Sequence, residues 1–257
     1  MQNVCHDGRE TTYRRTDFGN DAPPVVYVHG SGGSHEVWVH QYGRRENVRP
    51  AVALDLSGHG ESDDIDTDPG RETLDAYADD VYAVAREVDA GVLVGNSLGG
   101  AVVLHLLIER DIEPEAVVLC GTGAKLGVTD ELRDLLRDDL EGVAEFLHGA
   151  DMLFHDASED DRQASKASLH EAGREVIHRD FMSCAAFDVR QQLDTVEVPC
   201  LAITGEHDQL TPTSFHSYLA EKIPTCEQMT VADAAHLSML EQPERWNNSV
   251  NSFLTSV

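Results

Sequence analysis

The sequence predicts an α/β fold: a doubly wound, mostly parallel sheet with an inserted helical cap. Three observations carry this. Short apolar runs, often β-branched, recur with helical segments between them. One of these runs passes through a glycine-bounded serine turn into a helix. Late in the chain, the strand–helix rhythm is broken by a long stretch of helical pattern. Continuous apolar runs of this length fit strands buried on both faces, and alternation with helices gives parallel strands.

The runs are Val25-Val26-Tyr27-Val28, Ala51-Val52-Ala53-Leu54, Val92-Leu93-Val94, Ala116-Val117-Val118-Leu119 and Leu201-Ala202-Ile203, and Glu227 to Val231 reads as a further strand. Thr211-Pro212 reads as an N-cap followed by a proline in the first helical position, opening a helix through Tyr218-Leu219. Gln242-Pro243 opens the last helix in the same way. There Trp246, Val250, Phe253 and Leu254 fall at i, i+4, i+7 and i+8, a stripe for docking on the sheet. From Thr122 to Val196 the pattern is mostly helical, with Leu132, Leu135, Leu136, Leu140, Val143, Phe146 and Leu147 on one face. A crossover needs only about a dozen residues, so this stretch reads as an insertion. The expected organisation is a core of residues 1–121 and 197–257 and a helical cap, or lid, of residues 122–196.

The chain has 257 residues, 47 of them acidic and 19 basic, for a formal charge of −28. The charge is spread along the whole length, and Lys125, Lys166 and Lys222 are the only lysines. Such a surface repels phosphate backbones and anionic membranes, so neither nucleic acid nor membrane is an expected partner. An acidic, lysine-poor surface resembles the proteins of salt-loving archaea, where concentrated salt screens the self-repulsion. Five widely spaced cysteines, Cys5, Cys120, Cys184, Cys200 and Cys226, without C-x-x-C, fit reduced thiols in a cytoplasmic protein. Met1 to Asp7 has no basic segment followed by an apolar run, so no signal peptide is expected. The thirteen histidines include no H-x-x-x-H or H-E-x-x-H pair. They read as scattered surface residues; no metal and no cofactor is expected.

The chemistry centres on Gly95-Asn96-Ser97-Leu98-Gly99-Gly100, between Val92-Leu93-Val94 and a helical run. In G-x-S-x-G the glycines remove side chains that would collide with the neighbouring strand and helix, and the sharp turn lifts the serine hydroxyl out. A serine is a weak nucleophile until a base takes its proton, and that base needs an orienting acid. Two later loops qualify: Gly205-Glu206-His207-Asp208-Gln209-Leu210-Thr211-Pro212, and Ala232-Asp233-Ala234-Ala235-His236-Leu237. Within them Glu206 and His207 compete with Asp208, and Asp233 reads as a turn residue.

With these motifs in view, the chain resembles the α/β-hydrolase superfamily from about residue 11 to its C-terminus. His29-Gly30, Asp55-Leu56-Ser57-Gly58-His59-Gly60-Glu61-Ser62, the serine elbow, and the acid and histidine loops match in order. The resemblance implies Ser97 as nucleophile, His236 as base and Asp208 as orienting acid. It also implies backbone N–H groups of Ser31 and Leu98 as the oxyanion hole. One departure is Ala235, where many relatives have glycine; alanine is small enough to be accommodated. A serine at the elbow favours acyl transfer over the alkyl-ester chemistry of aspartate-elbow relatives. The implied activity is hydrolysis of a small carboxylic ester through an acyl-enzyme.

Two other readings stand beside it. The elbow is similar to that of meta-cleavage-product hydrolases, which cleave carbon–carbon bonds, although Leu237 stands where those relatives usually carry tryptophan. A non-catalytic ligand-binding member of the fold is the other. Gly30, Phe181, Met182, Cys184 and Phe187 are candidate substrate-binding residues under the cap.

Overall fold

The computed structural model describes residues 1–45 and 48–257. Among the described residues eight strands form one sheet: β1 (Gln2–His6), β2 (Arg9–Thr16), β3 (Val25–Val28), β4 (Ala51–Leu54), β5 (Val92–Asn96), β6 (Ala116–Cys120), β7 (Cys200–Gly205) and β8 (Cys226–Val231). Their spatial order is β1-β2-β4-β3-β5-β6-β7-β8. β1–β2 and β2–β4 pair antiparallel, and every other neighbouring pair is parallel. The five apolar runs and the more polar segment Glu227 to Val231 are the six parallel strands. The sequence reading missed the hairpin of β1 and β2, because Gln2–His6 and Arg9–Thr16 are mostly polar and half exposed.

Period-two alternation divides each central strand between two cores. Val26, Val28, Leu93, Val117 and Leu119 face a core shared with α2 (Arg71–Val88), α3 (Leu98–Glu109) and α7 (Thr213–Lys222). Val25, Tyr27, Val92, Val94 and Val118 face the opposite core, with Trp38, Met239 of α8 (Ser238–Glu241), and Trp246, Val250, Phe253 and Leu254 of α9 (Pro243–Ser256). A short α1 (Val39–Tyr42) adds Tyr42 to that second core. Burial of each such side chain contributes about 1.5–3 kcal/mol, so the sheet is a rigid platform for the loops at its edge. The stripe expected on the last helix is the buried face of α9.

Between β6 and β7 lie α4 (Asp130–Asp138), α5 (Leu140–Leu147) and α6 (Glu159–Ala186). The single apolar face expected here is two short helices, because Asp139 caps the second by accepting from the Gly142 N–H at 2.9 Å. Leu132, Leu136, Val143, Ala144 and Leu147 pack with Leu169 and Ile177 of α6 into a third, smaller core. α6 is interrupted at Gly173, whose φ of 77° lies in the left-handed region open to glycine. The two halves of α6 therefore point differently and serve different purposes.

One helix start differs from expectation. α7 begins at Thr213, with Pro212 in the capping position. Thr211 does not cap it, because its hydroxyl and its N–H are both taken by the Asp208 carboxylate. The widely spaced Cys200 and Cys226 face one another in the β7–β8 register. All five thiols are free; Cys120, Cys184 and Cys200 are buried and Cys5 is exposed.

Candidate active site

The elbow follows from local sterics. Ser97 has φ 55° and ψ −118°, a strained conformation for a residue with a side chain. Its N–H donates to the Cys120 carbonyl at 2.9 Å, and its own carbonyl accepts from Gly100 and Ala101 N–H and from the Thr122 hydroxyl. A Cβ at Gly99 would collide with the carbonyls of Val28 and His29. That close approach is how the start of α3 packs beneath β3, and why glycine is required two residues after the serine. The first N–H groups of α3 lack intrahelical acceptors and carry the positive end of the helix dipole. The Leu98 N–H is the first of them.

His236 and Asp208 meet across two loops that leave β8 and β7. His236 Nδ1 lies 2.9 Å from Asp208 Oδ2, and both side chains are buried. The other carboxylate positions are filled. Oδ1 accepts from the N–H groups of Leu210 and Thr211 at 2.9 and 2.8 Å, and Oδ2 accepts from the Thr211 hydroxyl at 2.7 Å. Burial alone would raise the Asp208 pKa, but the His236 ring and the Thr211 donors outweigh it and hold it below the ordinary carboxylate value. An ionised carboxylate only accepts, so His236 carries its proton on Nδ1 and leaves Nε2 as the basic nitrogen. Thr211 also stands 3.2 Å from His236 Nδ1. It supports this pair, although its place before Pro212 has the sequence pattern of a helix cap.

The histidine loop is braced from the segment before α6. Leu237 N–H donates to the Leu153 carbonyl at 2.9 Å. The Glu241 carboxylate accepts from Ala235 N–H at 2.7 Å and from His155 and Asp156 N–H at 2.8 Å each. Ala235 therefore fits at the position before the histidine, since only its backbone is used.

On the opposite side runs the loop His29-Gly30-Ser31-Gly32-Gly33. The His29 ring donates from Nδ1 to the Gly30 carbonyl at 2.7 Å and accepts at Nε2 from Leu56 N–H at 3.0 Å. Burial, with help from the neighbouring His59, pushes the His29 pKa down to about 4. It is therefore neutral, as this pair of hydrogen bonds requires. Ser168 of α6 donates to the Gly32 carbonyl at 2.8 Å and ties the first half of α6 to the same loop. His216 accepts from Thr122 N–H at 3.2 Å, and burial brings its pKa down to about 4.

Ser97, His236, Ser31 and Gly30 all line one cavity of about 500 Å³, within the usual range for small-molecule sites. Phe181 and Cys184 line it as well. Met182 and Phe187 do not: Met182 turns toward Arg133, and Phe187 is buried in the core on the α2–α3 side. Phe181 and Cys184 are three apart on one stripe of α6, Met182 lies on the adjoining stripe, and Phe187 follows the helix end in an extended conformation. Leu98 is fully buried and is not among the residues lining this cavity.

Among the competitors, His207 stacks on the His155 ring with centroids 3.7 Å apart, and Glu206 is exposed. Asp151, His155 and His207 bring three possible ligand atoms within 4.8 Å of one another, a grouping that linear spacing could not reveal. His155 Nδ1 is already engaged by Asp151 at 2.6 Å. Asp233 sits at φ 57° in its turn and pairs with Arg245.

The sequence pattern of the alpha/beta hydrolase family matches residues 25–248. The chain belongs to this family. The hydrolase is 26% identical over 245 residues to 3-oxoadipate enol-lactonase 1 of Acinetobacter baylyi, covering 92% of this chain and 90% of that one. It is 25% identical to a 2-hydroxy-6-oxo-6-(2'-aminophenyl)hexa-2,4-dienoic acid hydrolase of Metapseudomonas resinovorans, over 96% of this chain and 88% of the relative. The structure of a thermophilic esterase superposes with a TM-score of 0.86 at 28% identity, covering 99% of this chain and 97% of the other. No helix among the described residues is long and apolar enough to cross a membrane.

Proposed function

We propose that this hydrolase cleaves a small carboxylic ester through an acyl-enzyme. The observation that carries the reading is the 2.9 Å contact of His236 Nδ1 with a fully satisfied Asp208, beside a strained Ser97 facing the same cavity. Ser97 Oγ attacks the ester carbonyl while its proton passes to His236 Nε2. Ser31 and Leu98 N–H stabilise the developing oxyanion. Collapse expels the alcohol, which takes the proton from His236. Water, deprotonated by His236, then releases the acid and frees Ser97. Asp208 keeps the imidazole in the correct tautomer throughout.

The helices between β6 and β7 act in this reading as the cap over the pocket. The protein works in a reducing, salt-rich cytoplasm; the spread charge of −28 and the odd, widely spaced cysteines support this. A carbon–carbon bond hydrolase is the second reading, favoured by the elbow sequence and by the dienoic acid hydrolase relative. Leu237 after the base supports the ester reading instead. Ser97→Ala should abolish both turnover of p-nitrophenyl acetate and labelling by a serine-directed phosphonate, with circular dichroism unchanged. Full activity in that variant would end the proposal. Turnover of a chromophoric ring-fission product but not of the acetate would favour the second reading.

A further inference from the structure

Resting on the ester-hydrolase reading, the geometry points to a substrate class: we infer that the acyl pocket takes neutral, apolar acyl chains and rejects those ending in a carboxylate. Among the described residues, no lysine or arginine lines the cavity. Its charged lining is Glu36 and Asp161, both acidic. The apolar wall includes Leu132, Phe146, Leu147, Leu169, Phe181 and Leu210.

The absence of a cation is built into α6. Asp161, Ala164, Ser165, Ser168 and Leu169 face the cavity, at i, i+3, i+4, i+7 and i+8. That is one helical stripe. The basic residues Arg162 and Lys166 are four apart on the adjoining stripe. Arg162 is turned away, donating to the His148 carbonyl and lying 5.7 Å over the Phe154 ring. Two further arginines near the cavity are also committed elsewhere. Arg133 donates to the Val128 carbonyl and the Met182 sulfur, and Arg179 to Asp64 and the Ile65 carbonyl. Among the described residues, the basic side chain that lines the cavity is the His236 imidazole, and it already has Asp208 as partner.

A carboxylate entering this pocket would lose its water without gaining a counter-ion, and would meet two like charges. The polar groups that line the cavity are neutral apart from the two carboxylates, and so supply no counter-charge. Ser168 is spent on the Gly32 carbonyl, and the Asp161 carboxylate accepts from Ser158. Molar salt screens the exposed Glu36, but the desolvation cost inside the pocket persists.

The test compares p-nitrophenyl hexanoate with mono-p-nitrophenyl adipate, which differ by a terminal methyl against a carboxylate. In molar KCl the hexanoate should be favoured by about 10²-fold or more in kcat/KM. The gap should widen as salt is lowered. Ser165→Arg, which puts a cation on the cavity stripe, should raise the relative rate on the adipate. Equal rates, or a preference for the adipate, would overturn the inference. A second arm uses no turnover: methyl hexanoate and monomethyl adipate are bound to Ser97→Ala by calorimetry. Tighter binding of the neutral ester supports the pocket assignment even if neither p-nitrophenyl ester is hydrolysed, in which case the ester reading alone fails. Equal binding, preference for the acid, or binding of neither overturns it.

Discussion

His59 and Asp180 form a fully buried pair, Nε2 to Oδ2 at 3.0 Å, that joins the turn after β4 to the second half of α6. Tyr77 donates to the other carboxylate oxygen at 2.7 Å. Burial by itself would lower the His59 pKa, but the Asp180 charge and hydrogen bond outweigh it and raise it above the ordinary value. Burial pushes Asp180 upward, and His59 more than reverses that. The pair is therefore ionic, and it anchors one side of the cavity to the platform beside Ser31.

Removing one partner strands a buried charge. Asp180→Ala should lower stability by about 3–5 kcal/mol, read as a fall in melting temperature in molar KCl. Adding His59→Gln should restore part of the loss, because the uncompensated charge disappears. A single variant that melts with the wild type would show that the pair contributes nothing.

Thr211 is expected to matter through Asp208. Thr211→Val removes a 2.7 Å hydrogen bond to a buried carboxylate, an interaction of about 1.5–3 kcal/mol. Turnover should fall about 10- to 100-fold with KM little changed. Asp208→Asn should cost more, up to about 10⁴-fold, by favouring the wrong imidazole tautomer. Steady-state kinetics on a short acyl ester decides both; wild-type turnover in Thr211→Val would remove the residue from the site.

Acid should destabilise the fold through His29 and His216. Both have folded values near 4, below the ordinary histidine value. Between about pH 6.5 and 4 the unfolded chain binds more protons than the folded one, so stability is lost as pH falls through that window, by up to about 3 kcal/mol per residue. His59 has the opposite sign: its contribution is complete below about pH 6.5 and is lost as pH rises through its raised folded value. Urea midpoints measured across pH at fixed salt should show both limbs. His216→Gln should flatten the acid limb; an unchanged slope would contradict the assignment.

Salt should stabilise. With a formal charge of −28 the surface repels itself in dilute buffer, and at about 1 M salt the screening length falls to about 3 Å. The melting temperature should rise into the molar range of KCl. A flat profile would argue that the acidic surface is not a salt adaptation.

The sequence by itself determined the platform. Five apolar runs became parallel strands because continuous, largely β-branched segments are buried on both faces, and glycine at position 99 admits the close approach of the Val28 and His29 carbonyls beside Ser97. Order along the chain was enough to nominate Asp208 and His236. The polar hairpin of β1 and β2 escaped, since its pairing rests on backbone hydrogen bonds rather than apolar periodicity. Only the tertiary structure decided which side chains converge. Thr211 turned from helix cap to carboxylate partner, His59 found Asp180 across the chain, and Met182 and Phe187 turned away from the cavity that Phe181 and Cys184 line. These outcomes are set by packing between segments far apart in sequence.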